Sequence, residues 1–93
     1  MKFPLSLKHY EVMKSIYVGI DVSKRTLDVC VKGAEQEQFF KIENKSNSIK
    51  KLFKELRKVD SCVVIAMENT GHYNHQLYKV LPNFNFTVYV VDP

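Results

Sequence analysis

From Ser15 onward, apolar and polar residues alternate in short runs whose period changes along the chain. Ile16, Val18 and Ile20 alternate with Tyr17, Gly19 and Asp21, the period-two pattern of a strand with two distinct faces. After a polar turn over 22–25, Leu27, Val29 and Val31 share one face of a second strand, which Gly33 and Ala34 end. A weaker third strand is expected from about 36 to 42, through Phe39 and Phe40. Short turns between the three predict an antiparallel meander.

The period then lengthens. Ile49, Leu52, Phe53 and Leu56 fall at i, i+3, i+4 and i+7, one apolar stripe of a helix, with Ser46 or Asn47 placed as its N-cap. Lys50, Lys51, Lys54, Arg57 and Lys58 fill the remaining surface, mostly toward the C-terminal end where positive charge is favoured. Next, 62–67 is apolar without alternation, the pattern expected of a central strand covered on both faces. Asn69 or Thr70 is placed to cap a second helix with Tyr73, Leu77, Val80 and Leu81 on its inner face. Pro82 and Asn83 end that helix, and Phe86, Val88 and Val90 begin a last strand. The order βββαβαβ predicts an α/β fold: a mixed five-stranded sheet, parallel where helices cross over, with the helices covering it. Residues 15–93 form this domain. Residues 1–14 fit none of it, and read either as an upstream extension or as an arm packed on the sheet through Phe3, Leu5 and Leu7.

Composition narrows the class. Ninety-three residues allow one domain, and 45% hydrophobic with 26% charged residues is globular usage rather than low complexity. No apolar run approaches the ~18–20 residues of a membrane span, and no signal-like apolar stretch follows the N-terminus. Cys30 and Cys62, both in strand-like apolar runs, are expected to be reduced, buried thiols of a cytoplasmic protein. A net charge of +4 permits a polyanionic partner without requiring one.

The candidate chemistry lies in two carboxylates. Asp21 closes the first strand and Glu68 the fourth. On parallel neighbours these ends lie about 5 Å apart, where the two charges repel unless a cation joins them. Mg²⁺ is commonly held by one or two carboxylates with waters and phosphates, and strand ends facing a crevice are where open α/β sheets place chemistry. A plainer reading stands beside this one: Asp21 as a turn former, and Glu68 as an acidic group favouring the start of the second helix.

Three strings carry a resemblance: Gly19-Ile20-Asp21-Val22-Ser23-Lys24, Glu68-Asn69-Thr70-Gly71-His72-Tyr73 and Val90-Val91-Asp92-Pro93. In this order, on these elements, the chain resembles the N-terminal region of the RuvC-like DEDD transposases, which include the Piv-type invertases and belong to the RNase H-like superfamily. The resemblance implies a strand order of 3-2-1-4-5, which sets the first and fourth strands side by side. It also implies that Asp21 and Glu68 are catalytic, metal-holding residues, the first D and the E of a four-carboxylate site. The metal would be Mg²⁺ or Mn²⁺, acting in DNA cleavage and strand transfer during transposition and recombination. DNA is then the substrate, a guide RNA a partner of the full enzyme, and the cell prokaryotic. The family's other two carboxylates, a later helix and a serine-bearing domain are expected beyond residue 93, so this chain is expected to hold metal weakly and to be inactive alone. Apolar sheet surface left open by the absent helix implies self-association.

Other residues carry weaker signals. Lys24 and Thr70 read as phosphate contacts or as turn residues, and Lys50 and Lys54 as a nucleic-acid-binding surface or a solvated helix face. His72 and His75 are three apart on the expected second helix, without a third ligand. Cys30 and Cys62 are separated by the first strand in the expected order, which argues against a disulfide. A Gly-Ile-Asp strand also opens sugar kinases and actin-like ATPases, so a nucleotide-binding fragment is the alternative enzyme class. A non-catalytic nucleic-acid-binding remnant is the third reading.

Overall fold

The computed structural model describes residues 15–33, 36–58, 62–68 and 72–92. Residues 1–14 lie outside these, and with them both readings of the N-terminal segment. Five strands run in the expected order: β1 (Ser15–Val22), β2 (Thr26–Lys32), β3 (Glu37–Glu43), β4 (Cys62–Glu68) and β5 (Thr87–Val91). Helix α1 (Ser46–Arg57) joins β3 to β4. Helix α2 (His75–Val80) and a 3-10 turn at Leu81–Asn83 lie between β4 and β5. The strands form one mixed sheet in the order β3-β2-β1-β4-β5. β1 pairs antiparallel with β2, as does β2 with β3, whereas β4 runs parallel to both β1 and β5. This is the α/β, RNase H-like sheet that the pattern and the resemblance imply.

The core fills one side of the sheet. Ile16, Val18, Ile20 and Val22 from β1, Leu27, Val29 and Val31 from β2, and Val63, Ile65 and Met67 from β4 are all buried there. Against them pack Ile49, Leu52, Phe53 and Leu56 of α1, the stripe expected from their spacing, with Leu77 and Val80 of α2. Phe53 meets the rings of Phe84 and Phe86 edge-on, each at 5.4 Å between centroids, which ties α1 to the approach of β5. Edge-to-face contacts of this kind add about 0.5–1.5 kcal/mol to the burial of the rings.

Several sequence-based expectations change. β4 is covered on one face only among the described residues: Cys62 and Ala66 are exposed and Val64 is half-buried. Its unbroken apolar run reflects small and aliphatic residues on the open side, not a second layer. The cysteines follow the same correction, with Cys30 half-buried and Cys62 exposed, both free. Neither Ser46 nor Asn47 caps α1. Lys45 occupies the cap position in extended conformation without a side-chain bond, and the Ser46 hydroxyl instead donates to Gln76 Oε1. α2 starts late, after Asn74, so Tyr73 precedes the helix and is exposed, and Asn69 and Thr70 lie outside the described residues. β5 begins at Thr87 instead of Phe86. No helix among the described residues is long and apolar enough to cross a membrane.

Candidate active site

Strand alternation sends every second residue to the uncovered face, and the pairing arranges them in rows. The row nearest the carboxyl ends of β1 and β4 reads Lys41, Asp28, Asp21, Glu68 and Val91, from β3 across to β5. Asp21 and Glu68 each stand one residue beyond the parallel pair Ile20 and Met67. The buried Ile20 and Met67 point into the core, so their successors point out, on strands about 4.8 Å apart. The second row reads Phe39, Cys30, Gly19, Ala66 and Tyr89. Its centre holds the two smallest residues, flanked by exposed Phe39 and Tyr89. The result is an open concavity of about 920 Å³, with Gly19 and Ala66 among its lining and Asp21, Asp28 and Glu68 along one end.

Two observations bear on whether a divalent cation fits. A Cβ built on Gly19 meets nothing nearer than the Cβ of Cys30, at 4.0 Å, so the space over the middle of the site is free. The donors beside it are carboxylate oxygens, the hard ligands that Mg²⁺ and Mn²⁺ prefer. Asp21 and Glu68 supply two, which suits an ion that keeps much of its water. No group of three or more His, Cys, Asp or Glu able to hold a metal ion forms among the described residues, so Asp21 and Glu68 stand as a pair.

Two residues of the carboxylate row escaped the sequence reading. Asp28 is directly opposite Asp21 across the antiparallel pair, a like-charge placement that costs stability unless countered. Lys41, opposite Asp28 on the other side, forms an ion pair with it at 3.6 Å. Alternation in the second strand could have placed Asp28 on this face, but its pairing partner is a matter of register. Cys30 donates its thiol to Glu37 Oε1 at 3.7 Å. Partial burial pushes the Cys30 thiol above its usual range, and the Glu37 charge and hydrogen bond add to this while Lys32 opposes it.

The backbone around the carboxylates is tied by two asparagine side chains. Buried Asn74 donates from Nδ2 to the Glu68 carbonyl at 3.0 Å. Asn44, which directly follows β3, donates from Nδ2 to the Ser23 carbonyl at 2.8 Å and to the Tyr73 carbonyl at 3.0 Å. Sequence reading missed both, and for Asn44 the partners, 21 and 29 residues away, leave no local signature.

The remaining candidates separate. Lys24 is exposed in the β1–β2 turn, at the same end as Asp21. Lys50 and Lys54 are exposed on α1, which packs on the opposite face of the sheet, so the fold does not bring them to the carboxylates. Arg57 of the same helix is not merely solvated: its guanidinium lies over the Phe84 ring, 5.0 Å from the centroid. His72 stands before α2 and His75 is its first residue, so the helical spacing that would align two imidazoles is absent.

No curated protein matches the chain. Residues 18–93 match the DEDD transposase family of the IS110 type, described as transposase. That match begins in β1 and runs through every later strand and both helices. With the sheet order and three motifs in place, the chain belongs to the DEDD transposase family.

Proposed function

We propose that this chain supplies two of the metal-holding carboxylates, Asp21 and Glu68, of a transposase that cleaves DNA and transfers strands with Mg²⁺ or Mn²⁺. The observation that carries this reading is their placement: neighbours on parallel β1 and β4, both on the open face, beside a space that Gly19 leaves free. When bound, such a metal lowers the pKa of a water or hydroxyl nucleophile and stabilises the charge on the leaving oxygen of a phosphodiester. The protein's own part is to hold two oxygen donors on rigid strands, where side-chain position is set by the core beneath rather than by a loop. The concavity below them receives the substrate, and Lys24 meets a neighbouring phosphate.

Two carboxylates alone hold a divalent ion weakly, and the full activity requires the further pair implied by the family. Lys50 and Lys54, on the far side of the sheet, serve a second stretch of nucleic acid, DNA or a guide RNA, whose binding weakens with salt. Family membership favours this reading over the nucleotide-binding one that the Gly-Ile-Asp strand also allows.

The test is a Mn²⁺ titration of the chain followed by NMR line broadening. The signals of Asp21 and Glu68 are expected to broaden first, and Asp21→Asn or Glu68→Gln to weaken the effect. Broadening centred elsewhere, or unchanged in both variants, would sink the proposal. In a protein that also carries the second pair of carboxylates, either substitution is expected to abolish DNA cleavage.

A further inference from the structure

At the carboxyl ends of β1 and β4, two loops must keep a fixed relation if Asp21 and Glu68 are to act together. One is the β1–β2 turn, two residues beyond Asp21. The other is the segment between β4 and α2. Asn44 touches both. Its side-chain amide uses its two hydrogens on the carbonyls of Ser23 and Tyr73, and its backbone N–H donates to the Arg25 carbonyl at 2.9 Å. The orientation of the amide is fixed by these partners, since an oxygen in the same place would face two carbonyl oxygens. Tyr73 adjoins Asn74, whose own amide reaches the Glu68 carbonyl. A short path of hydrogen bonds therefore leads from the turn after Asp21, through Asn44, to the backbone of Glu68. Asparagine suits the task because its carboxamide offers two N–H donors on a short arm. Serine or threonine offers one, and aspartate offers none.

We propose that Asn44 is a positioning residue, a clamp that joins the β1–β2 turn to Tyr73 ahead of α2 and so steadies the ends of the strands that carry Asp21 and Glu68, whose spacing the sheet itself sets, before a metal arrives. The inference rests on the metal reading of that pair, but the clamp itself is open to an independent measurement. Pre-ordering of this kind removes from metal binding the cost of stilling the two strand ends.

The test uses amide hydrogen exchange and Mn²⁺ affinity on the same 93-residue chain. In Asn44→Ala, exchange is expected to quicken by about tenfold at Ser23 and at Tyr78, whose amides close the turn and the first turn of α2, while Val29 and Ile65 stay protected. Mn²⁺ affinity of the folded variant is expected to fall about tenfold. Asn44→Gln, which keeps both donors on an arm one methylene longer, is expected to recover part of each effect, and it carries the comparison if the alanine variant unfolds. Unchanged exchange, or a change at only one of the two loops, would overturn the clamp. So would linked loosening with undiminished Mn²⁺ affinity. If the wild-type chain shows no Mn²⁺ at Asp21 and Glu68, the metal reading falls, while linked exchange still supports the clamp.

Discussion

The two faces of this sheet are built from the same five strands yet follow different rules. On the covered face, Ile16, Val18, Leu27, Val31 and Ile65 are almost wholly removed from water beneath α1 and α2. On the other, the same strands present Asp21, Asp28 and Glu68, small Gly19 and Ala66, and exposed Tyr17, Phe39 and Tyr89. Neighbouring residues in one strand thus face the packed core and the open side in turn. Substitution costs should therefore alternate along β1 and β4, large on one face and small on the other, and under the proposed metal reading effects on metal binding should alternate in the opposite sense.

Substitutions on each face put that contrast to the test. The largest effect is expected for Phe53→Ala, which empties a fully buried site beneath Phe84 and Phe86: a loss of about 3–5 kcal/mol, read from the urea midpoint. Asn74→Ala, at the boundary between the faces, removes a buried donor from the Glu68 carbonyl and should cost about 1–3 kcal/mol in the same assay. Asp21→Asn, on the open face, should leave stability within about 0.5 kcal/mol, with any change toward greater stability because Asp28 stands opposite. A drop comparable to that of Phe53→Ala would contradict the division between faces. Gly19→Ala should gain about 0.5–1 kcal/mol, since the added methyl meets open space and the strand loses a flexible residue. If the metal reading holds, that same methyl narrows the site and Mn²⁺ affinity falls.

The smallest expected effect is kinetic. Cys62 is exposed, whereas the Cys30 thiol is half-buried and held above its usual range, chiefly by desolvation and then by Glu37. Less thiolate at a given pH means slower alkylation, so Cys62 should react with iodoacetamide before Cys30 at mildly alkaline pH. Glu37→Gln should narrow the gap. The sign for stability follows from linkage. With its folded-state pKa raised, the Cys30 thiol contributes fully at pH below the unfolded thiol range, and that contribution is lost as pH rises toward the folded value.

Much of the fold was legible because alternation and helical spacing are direct records of burial. Ile16, Val18 and Ile20, and the stripe Ile49, Leu52, Phe53 and Leu56, appear in the core as their spacing requires. β4 misled because Ala66, Val64 and Cys62 are apolar without being covered, and an apolar residue on an open face looks in sequence like a buried one. The start of α2 was hidden for a related reason. Asn69 and Thr70 have capping chemistry, but helical backbone begins only at His75, after an asparagine engaged elsewhere. Asp21 and Glu68 could be found at strand ends by pattern, and their adjacency came with the implied strand order. Asp28, Lys41 and Asn44 could not, since each depends on a partner brought close only by register or by the meeting of two loops.

The parallel pairing of Ile20 with Met67 has one further consequence. Because both are packed in the core, they act as a ruler for the residues that follow them. Delete a single residue within β4, and the strand must choose between burying a carboxylate and exposing a methionine. Length changes inside β1 or β4 are therefore expected to be far rarer among natural variants than conservative replacements at the same positions. Heritable variation in chain length should collect in the connections instead, leaving the distance between the two acidic groups as an inherited constant of the sheet.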